Sequence, residues 1–381
     1  MTTGAAGTRR PRTERVAGRM LSRATRRATL AQIRHVAPVP PAAAPPLVAR
    51  VYAQVERDFG MLAPPMSLHA PAPEALAAAW LMLRETLLAD GVADRAVKEA
   101  VATAVSRGNA CPYCVDVHSA TLHGVARGRE AAAIAEDRIA DIADPGLRGV
   151  ARWARHSGNR PDAGRTNLPF VPELAPELVG VAVIFHYLNR MVNVFLTDSP
   201  FPPGLPDALR GTVTRVFGAL LRPAARTRRA PGRALDLLPD APLPADLGWA
   251  AGSPPVAQAF ARAAAAIDEA GRRSVPAAVR ALVESELDRW DGRPRGIGRG
   301  WADELVSGLP AGERSAGRLA LLTALASWQV GERTVDDFRR DHPDDDTLVG
   351  LASWASLAAA RRIGSWLWTP RLSAVPRPDD R

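Results

Sequence analysis

The chain has 381 residues, of which 47% are hydrophobic, so it is long enough to bury one large core or two ordinary ones. Its formal charge is +9, but residues 1–34 alone carry nine arginines and one acid, which accounts for +8. The remainder is close to neutral, so the charge indicates a solvated tail, and we expect no nucleic-acid partner; contact of the tail with an anionic surface or nucleic acid stays open. No secretory signal pattern is found at the N-terminus, and we expect a cytoplasmic protein.

The first elements along the chain are a tail and a helix. Two proline clusters between residues 38 and 46 lack any core-forming period, so the sequence predicts a disordered Arg/Pro-rich tail over residues 1–46. Leu76, Trp80 and two further leucines then recur at helical spacing, which predicts an amphipathic helix.

A hairpin of two helices is predicted next. Residues 94–107 have helical periodicity, and Gly108 is expected to stop this helix because glycine commonly follows a helix end. Pro112 suits the first position of a new helix. This places Cys111 at the cap of the second helix and Cys114 within its first turn.

The fold class follows from the remaining segments. Residues 144–146, Asp-Pro-Gly, form a turn after which helical spacing resumes. The most apolar segment, Leu178 to Leu196, contains polar residues that would be costly in a bilayer, so we expect a buried core helix and no membrane span. Sustained period-two alternation of β-branched residues is absent, and the predicted fold is all-α.

The domain division is predicted from composition. A Pro-rich connection with one short helix, residues 199–246, separates a redox domain over residues 47–198 from a second helical domain over residues 247–368, and a tail covers residues 369–381. A faint similarity between segments 94–106 and 313–327 favours a degenerate copy of the first domain in the second. No cysteine lies beyond Cys114, so the second copy carries no thiol.

The candidate chemistry lies around the two cysteines of the chain. Cys114 is four residues before His118 and Cys111 is seven before it, so the three side chains share one helix face. Glu99 lies about two turns before the corner at Gly108 and returns beside them in a helical hairpin. Helix N-terminal amides and a neighbouring base convert a thiol into a nucleophilic thiolate, and this segment offers both.

Other chemistries use the same residue types. By residue type, a zinc ion could be bound by Cys111, Cys114, His118 and His123, but three residues of helix between the ligand pairs would strain a tetrahedral site. Cys-Pro-Tyr-Cys is also the active sequence of glutaredoxins, in which a strand precedes the first cysteine, whereas here the preceding segment reads as helix. A covalent haem is excluded because Val115, and not histidine, follows the pair.

The spacing Glu99-x(11)-Cys111-x(2)-Cys114-x(3)-His118 resembles the signature of AhpD-like alkylhydroperoxidases, which share the helical carboxymuconolactone decarboxylase fold. Flanking segments such as residues 187–191 are similar in sequence to long two-copy members of that family, so the resemblance extends over most of the chain. It implies an AhpD-like helical fold with a cysteine-free second copy.

The resemblance also implies a function, a thiol-dependent peroxidase. Cys114 matches the peroxidatic cysteine, Cys111 the resolving and partner-facing cysteine, and Glu99 and His118 the proton relay. A hydroperoxide is then the substrate, and an external dithiol protein of lipoyl or thioredoxin type regenerates the pair without a metal or other cofactor. Tyr113 stands where the best-known members have a histidine. Relatives of this fold usually assemble, so a homo-oligomer is expected.

Two questions stay open at this stage. His186, Tyr187, Asn189 and Arg190 place polar groups in an apolar helix; they either line a pocket or satisfy buried partners, and we expect the second. The alternatives to a peroxidase are a redox-sensing or scaffold protein, in which the pair forms a slow regulatory disulfide, and a glutaredoxin-like thiol oxidoreductase.

Overall fold

A computed structural model describes residues 26–125, 128–160, 168–201 and 207–368 of the chain; the expectations for residues 1–25 and 369–381 fall outside the described residues. Within these ranges there is no β-strand, and the only bridge is an isolated antiparallel one between Ile33 and Leu196. The all-α prediction is confirmed. The α-helices beyond residue 45 are α1 (Pro46–Phe59), α2 (Pro64–Ser67), α3 (Pro73–Leu83), α4 (Arg95–Gly108), α5 (Pro112–Val125), α6 (Gly128–Ala135), α7 (Pro145–Arg155), α8 (Ala175–Phe195), α9 (Asp207–Ala225), α10 (Pro254–Ser274), α11 (Ala277–Arg289), α12 (Gly300–Val306), α13 (Arg314–Ala326), α14 (Glu332–Asp341) and α15 (Asp345–Leu367).

Helix α8 lies at the centre of the core. Twenty of its 21 residues are buried, and it packs against α4 on one side and α15 on another. The segment Pro172–Phe195 is long and apolar enough to cross a membrane, but 94% of its most apolar window is buried inside the protein. A helix that is apolar on all sides must bury all of them, so the structure confirms the expected core helix.

The second half of the chain shares this core. Helix α10 packs on α3, α15 packs on α8, and the buried apolar side chains of both halves form one cluster. The division into domains over residues 47–198 and 247–368, and the origin of the second as a copy of the first, stay predictions.

Residues 26–46 belong to the fold and not to a disordered tail. Arg26 pairs with Glu56 of α1 at 2.6 Å, and the N–H of Arg34 donates to the Phe195 carbonyl, at the end of α8, at 2.8 Å. The prediction of disorder is wrong for this stretch. Its prolines and arginines leave no core-forming period in the sequence, but its backbone satisfies a carbonyl that the end of α8 leaves without a helical partner.

Helix α9 is longer than the short helix predicted between residues 199 and 246, with 19 residues. It packs along α5, and small residues allow the approach: a Cβ on Gly124 would lie 2.8 Å from the Gly218 carbonyl oxygen, and one on Gly218 would collide with the Ala120 carbonyl. The segment predicted as a connection therefore covers the helix that carries the cysteines.

The corner between α4 and α5 is closed by Ala110 and not by Gly108. Helix α4 ends at Gly108 as predicted, but the residue in the left-handed conformation is Ala110, with φ of 50°. The N–H of Cys111 donates to the Ser106 carbonyl at 3.0 Å, as in a Schellman motif. Gly108 is needed for a different reason, because a Cβ there would lie 2.6 Å from the Arg155 carbonyl oxygen of α7.

Replacement of Ala110 by glycine should therefore stabilise the protein. The left-handed conformation costs alanine about 1–2 kcal/mol, and the larger unfolded-state entropy of glycine offsets part of this, leaving a gain of about 0.5–1 kcal/mol. Gly108→Ala, the matched control two residues away, should instead lower the free energy of unfolding by about 1–3 kcal/mol through overpacking. Urea denaturation measures both; a destabilised Ala110→Gly protein would contradict this account of the corner.

Candidate active site

The two cysteines lie at the start of α5, as the position of Pro112 predicted. Cys111 precedes the helix and Cys114 is in its first turn, where backbone N–H groups without helical partners favour negative charge. Their sulfurs lie 2.8 Å apart as free thiols. A disulfide requires about 2.05 Å, so a small side-chain movement separates the pair from a covalent bond.

Cys114 forms part of the wall of an apolar cavity of about 90 Å³. The Cys114 side chain is 3% exposed and lines the cavity with His118, whereas Cys111 is 1% exposed and is not among the lining residues. The other lining residues are mostly apolar and come from several separate elements: Gln32, Phe59, Met61, Ala63, Pro64, Pro65, Met66, Leu83, Tyr113, Val117, Leu188, Pro200 and Phe217.

Glu99 returns beside the cysteine helix, as the hairpin predicted. Its Oε2 lies 2.7 Å from Nδ1 of His118, and its Oε1 lies 2.6 Å from Nη2 of Arg95. The carboxylate is fully buried, and Phe185 packs edge-on against the His118 ring with centroids 4.6 Å apart. Burial alone would raise the pKa of Glu99, but the Arg95 guanidinium and His118 hold that pKa below its ordinary value. Glu99 is therefore charged at neutral pH.

Comparisons with known proteins agree with this geometry. A sequence model of the carboxymuconolactone decarboxylase family matches residues 74–156, which include Glu99, both cysteines and His118. A Mycobacterium tuberculosis protein named alkyl hydroperoxide reductase is 39% identical over 345 residues, which cover 91% of this chain and 98% of that protein. The chain belongs to the carboxymuconolactone decarboxylase family. The resemblance inferred from the motif is confirmed, and it extends well beyond the motif.

In this member of the carboxymuconolactone decarboxylase family, the residues next to Cys114 are held in neutral form. Burial and the neighbouring Cys114 raise the pKa of Cys111 well above that of an ordinary thiol. Burial and the two cysteines likewise raise the pKa of Tyr113, whose hydroxyl donates to Oε1 of Gln32 at 2.8 Å. Gln32 lies in the segment that the sequence assigned to the tail, so this contact was not predicted.

A network of polar side chains fastens the corner before Cys111 to α8. Asn109 donates to Oδ1 of Asn189 at 2.8 Å and lies 3.0 Å from Nδ1 of His186. Asn189 donates to the Ser106 hydroxyl at 3.1 Å, and Nε2 of His186 lies 2.8 Å from the Ser157 hydroxyl. The polar residues in the apolar helix satisfy buried partners, as expected.

The two other polar residues of that group are satisfied in the same way. The Tyr187 hydroxyl lies 2.8 Å from Nε2 of His69 and 3.2 Å from the Ser353 hydroxyl. Arg190 donates to the Ala324 carbonyl at 2.9 Å, which ties α8 to α13. None of these residues lines the cavity beside Cys114.

The alternative chemistries gain no support from the structure. Over the described ranges, no group of three or more His, Cys, Asp or Glu side chains could hold a metal ion. The glutaredoxin interpretation requires a strand before Cys111, and α4 occupies that position. That interpretation is therefore wrong.

Sequence analysis missed the residues that complete the site. Arg95 precedes Glu99 by four residues on α4, a spacing at which opposite charges meet on a helix, so a signal for it was available. Phe59, Met66 and Phe217 come from separate elements, and no local spacing indicates that they converge on Cys114.

The buried His186 predicts a loss of stability in acid. Burial and the nearby Arg190 lower its pKa well below the usual value, so below pH about 6.5 the unfolded chain binds a proton that the folded chain does not. Stability then falls by up to about 1.4 kcal/mol per pH unit for each such histidine. The free energy of unfolding, measured by urea denaturation between pH 5 and pH 8, should depend less steeply on pH for His186→Gln than for wild type. His69, whose pKa burial lowers to about 4, still contributes in both proteins, and an identical slope would contradict the assignment to His186.

Proposed function

We propose that the protein is a thiol-dependent peroxidase that reduces organic hydroperoxides through Cys114 and Cys111. One observation carries the proposal: Cys114 and His118 line the same apolar cavity, and the Cys111 sulfur lies 2.8 Å from that of Cys114. The name of the mycobacterial relative, alkyl hydroperoxide reductase, supports the same activity.

In the first half-reaction the Cys114 thiolate attacks one oxygen of the hydroperoxide. An S–O bond forms and the O–O bond breaks, which leaves a sulfenic acid and an alkoxide that must gain a proton to depart as an alcohol. His118 accepts the thiol proton of Cys114 and returns it to the alkoxide. Glu99 supports this role because its carboxylate contacts Nδ1 and leaves Nε2 to exchange the proton.

In the second half-reaction the Cys111 sulfur attacks the Cys114 sulfenic acid. An S–S bond forms, the S–O bond breaks, and the hydroxyl group takes up the proton that the Cys111 thiol gives up and leaves as water. The negative charge of Cys114 is one of the causes that raise the pKa of Cys111, so its conversion to a sulfenic acid makes Cys111 easier to ionise at the step that needs it.

An external dithiol closes the cycle by two thiol–disulfide exchanges, which restore both thiols and leave the reductant oxidised. The resemblance implied that Cys111 faces the partner. Since Cys114 lines the cavity and Cys111 does not, a thiol that enters through the cavity meets Cys114 first. We therefore expect the mixed disulfide with the reductant at Cys114, with Cys111 as the leaving thiol.

Replacement of each cysteine should stop the reaction at a different step. Cys114→Ser should abolish peroxide reduction, because a hydroxyl does not ionise near neutral pH. Cys111→Ser should consume about one equivalent of peroxide and stop at a Cys114 sulfenic acid. Mass spectrometry with a sulfenate trap distinguishes these states. A sulfenic acid on Cys111 in the Cys114→Ser protein would reverse the assignment.

Measurement of steady-state peroxide consumption distinguishes a peroxidase from a redox sensor that has the same site geometry. Wild type supplied with dihydrolipoamide, thioredoxin or glutathione should turn over many times with at least one of them. A single oxidation followed by no turnover with any of the three would favour the sensor.

The apolar cavity predicts a preference for organic hydroperoxides over hydrogen peroxide. Each buried CH₂ contributes about 0.8 kcal/mol, so kcat/KM for cumene hydroperoxide should exceed that for hydrogen peroxide by at least about tenfold. Val117→Phe, which fills the cavity, should remove most of this preference and leave the hydrogen peroxide rate within about threefold. Val125→Phe is the matched control, since Val125 lies on the same helix and lines a different pocket. An unchanged preference in Val117→Phe would place the substrate elsewhere.

A further inference from the structure

A chain of three side chains runs through the wall of the cavity. Arg95 contacts Oε1 of Glu99 through Nε at 2.8 Å and through Nη2 at 2.6 Å. The other carboxylate oxygen of Glu99 lies 2.7 Å from Nδ1 of His118. Each oxygen of the buried carboxylate therefore has its own cationic or proton-donating partner.

Arg95 lies outside the cavity in which the thiol reacts. Its side chain is 18% exposed and lines a different, open pocket together with Asp94 and Arg226, and it is absent from the residues that line the Cys114 cavity. Arg95 is thus not among the residues placed to contact a substrate bound there. The direct contact that links Arg95 to the site is the one with Glu99.

The other charges near Arg95 have partners of their own. Asp58 pairs with Arg84 at 2.8 Å, Asp90 lies 3.5 Å from Arg228, and Lys98 pairs with Glu177. Glu99 is thus the fully buried anion that the guanidinium of Arg95 contacts directly. An arginine does not lose its proton in proteins, so this positive charge is permanent.

The charge of Glu99 decides which nitrogen of His118 carries the proton. An ionised carboxylate only accepts, so Nδ1 must be the N–H nitrogen and Nε2 is left as the base. A protonated Glu99 would instead donate to Nδ1, and a neutral ring would then carry its proton on Nε2. That tautomer cannot accept the proton of Cys114.

We propose that Arg95 is a positioning residue of the thiol site, which keeps Glu99 ionised and so holds His118 in the tautomer whose Nε2 accepts the Cys114 proton. The proposal rests on the proposed function for its consequence in peroxide reduction, but the geometry concerns only the ionisation of the thiol. Without the guanidinium, the buried carboxylate would take up a proton, as isolated buried carboxylates do.

The test compares Arg95→Leu, Arg95→Lys, Glu99→Gln and the Arg95→Leu/Glu99→Gln double variant. Arg107→Leu is the matched control, an exposed arginine on the same helix. The primary readout is the rate of Cys114 alkylation by iodoacetamide in reduced protein between pH 5 and pH 9, mapped by mass spectrometry. Peroxide reduction is measured alongside, and circular dichroism verifies that each variant is folded.

Arg95→Leu should slow alkylation about 10- to 100-fold at pH 7, the range for loss of a relay group, and the rate should recover as rising pH ionises Glu99. Arg95→Lys, which keeps the charge, should stay within about threefold of wild type. The double variant should be no slower than Glu99→Gln alone, because both changes act on one group.

Additive losses in the double variant, or a uniform loss at all pH values that Arg95→Lys does not rescue, would overturn the proposal and assign Arg95 a purely structural role. If wild type reduces no peroxide but the four variants alkylate as expected, the proposed function fails and the role of Arg95 stands. If peroxide is reduced normally by Arg95→Leu at every pH, the role of Arg95 fails and the function stands.

Discussion

The geometry of the site depends on the corner between α4 and α5. The left-handed Ala110 and the hydrogen bond from Cys111 to the Ser106 carbonyl reverse the chain, so that Glu99 and His118, 19 residues apart in sequence, come within 2.7 Å. The amide of Asn109 fastens this corner to α8. A looser corner would separate the carboxylate and imidazole from each other while leaving both helices intact.

Burial shapes the ionisation of the site residues, and it also costs free energy because charged groups are removed from water. A carboxylate, a thiol pair and an imidazole are enclosed by apolar side chains, where an unpaired charge would be neutralised by a shift of its pKa. The structure meets this constraint by pairing: Glu99 contacts Arg95 on its own helix and His118 of α5, and Lys98 pairs with Glu177 of α8. Helix α4 thereby contacts α5 through the buried carboxylate of Glu99 and α8 through the buried ammonium group of Lys98.

The cavity exists because segments distant in sequence cover the cysteine helix. The N-terminal stretch contributes Gln32, and α9 contributes Phe217 where it packs along α5 at a small-residue contact that includes Gly124 and Gly218. An apolar enclosure of this kind excludes water from the thiol and favours a substrate with an alkyl group. In the function that we propose, the motif residues would carry out the reaction and the covering segments would select the substrate.

The sequence by itself determined what depends on local spacing. Helical periodicity, Pro112 at a first turn and the spacing of Glu99, Cys114 and His118 were enough to predict an all-α fold and a shared helix face, because a helix repeats with a fixed geometry. Only the tertiary structure decided which residue adopts the left-handed corner, since Gly108 is required by the approach of α7. It also decided which segments close the cavity, because contacts between distant segments depend on packing in three dimensions and leave no period in the sequence.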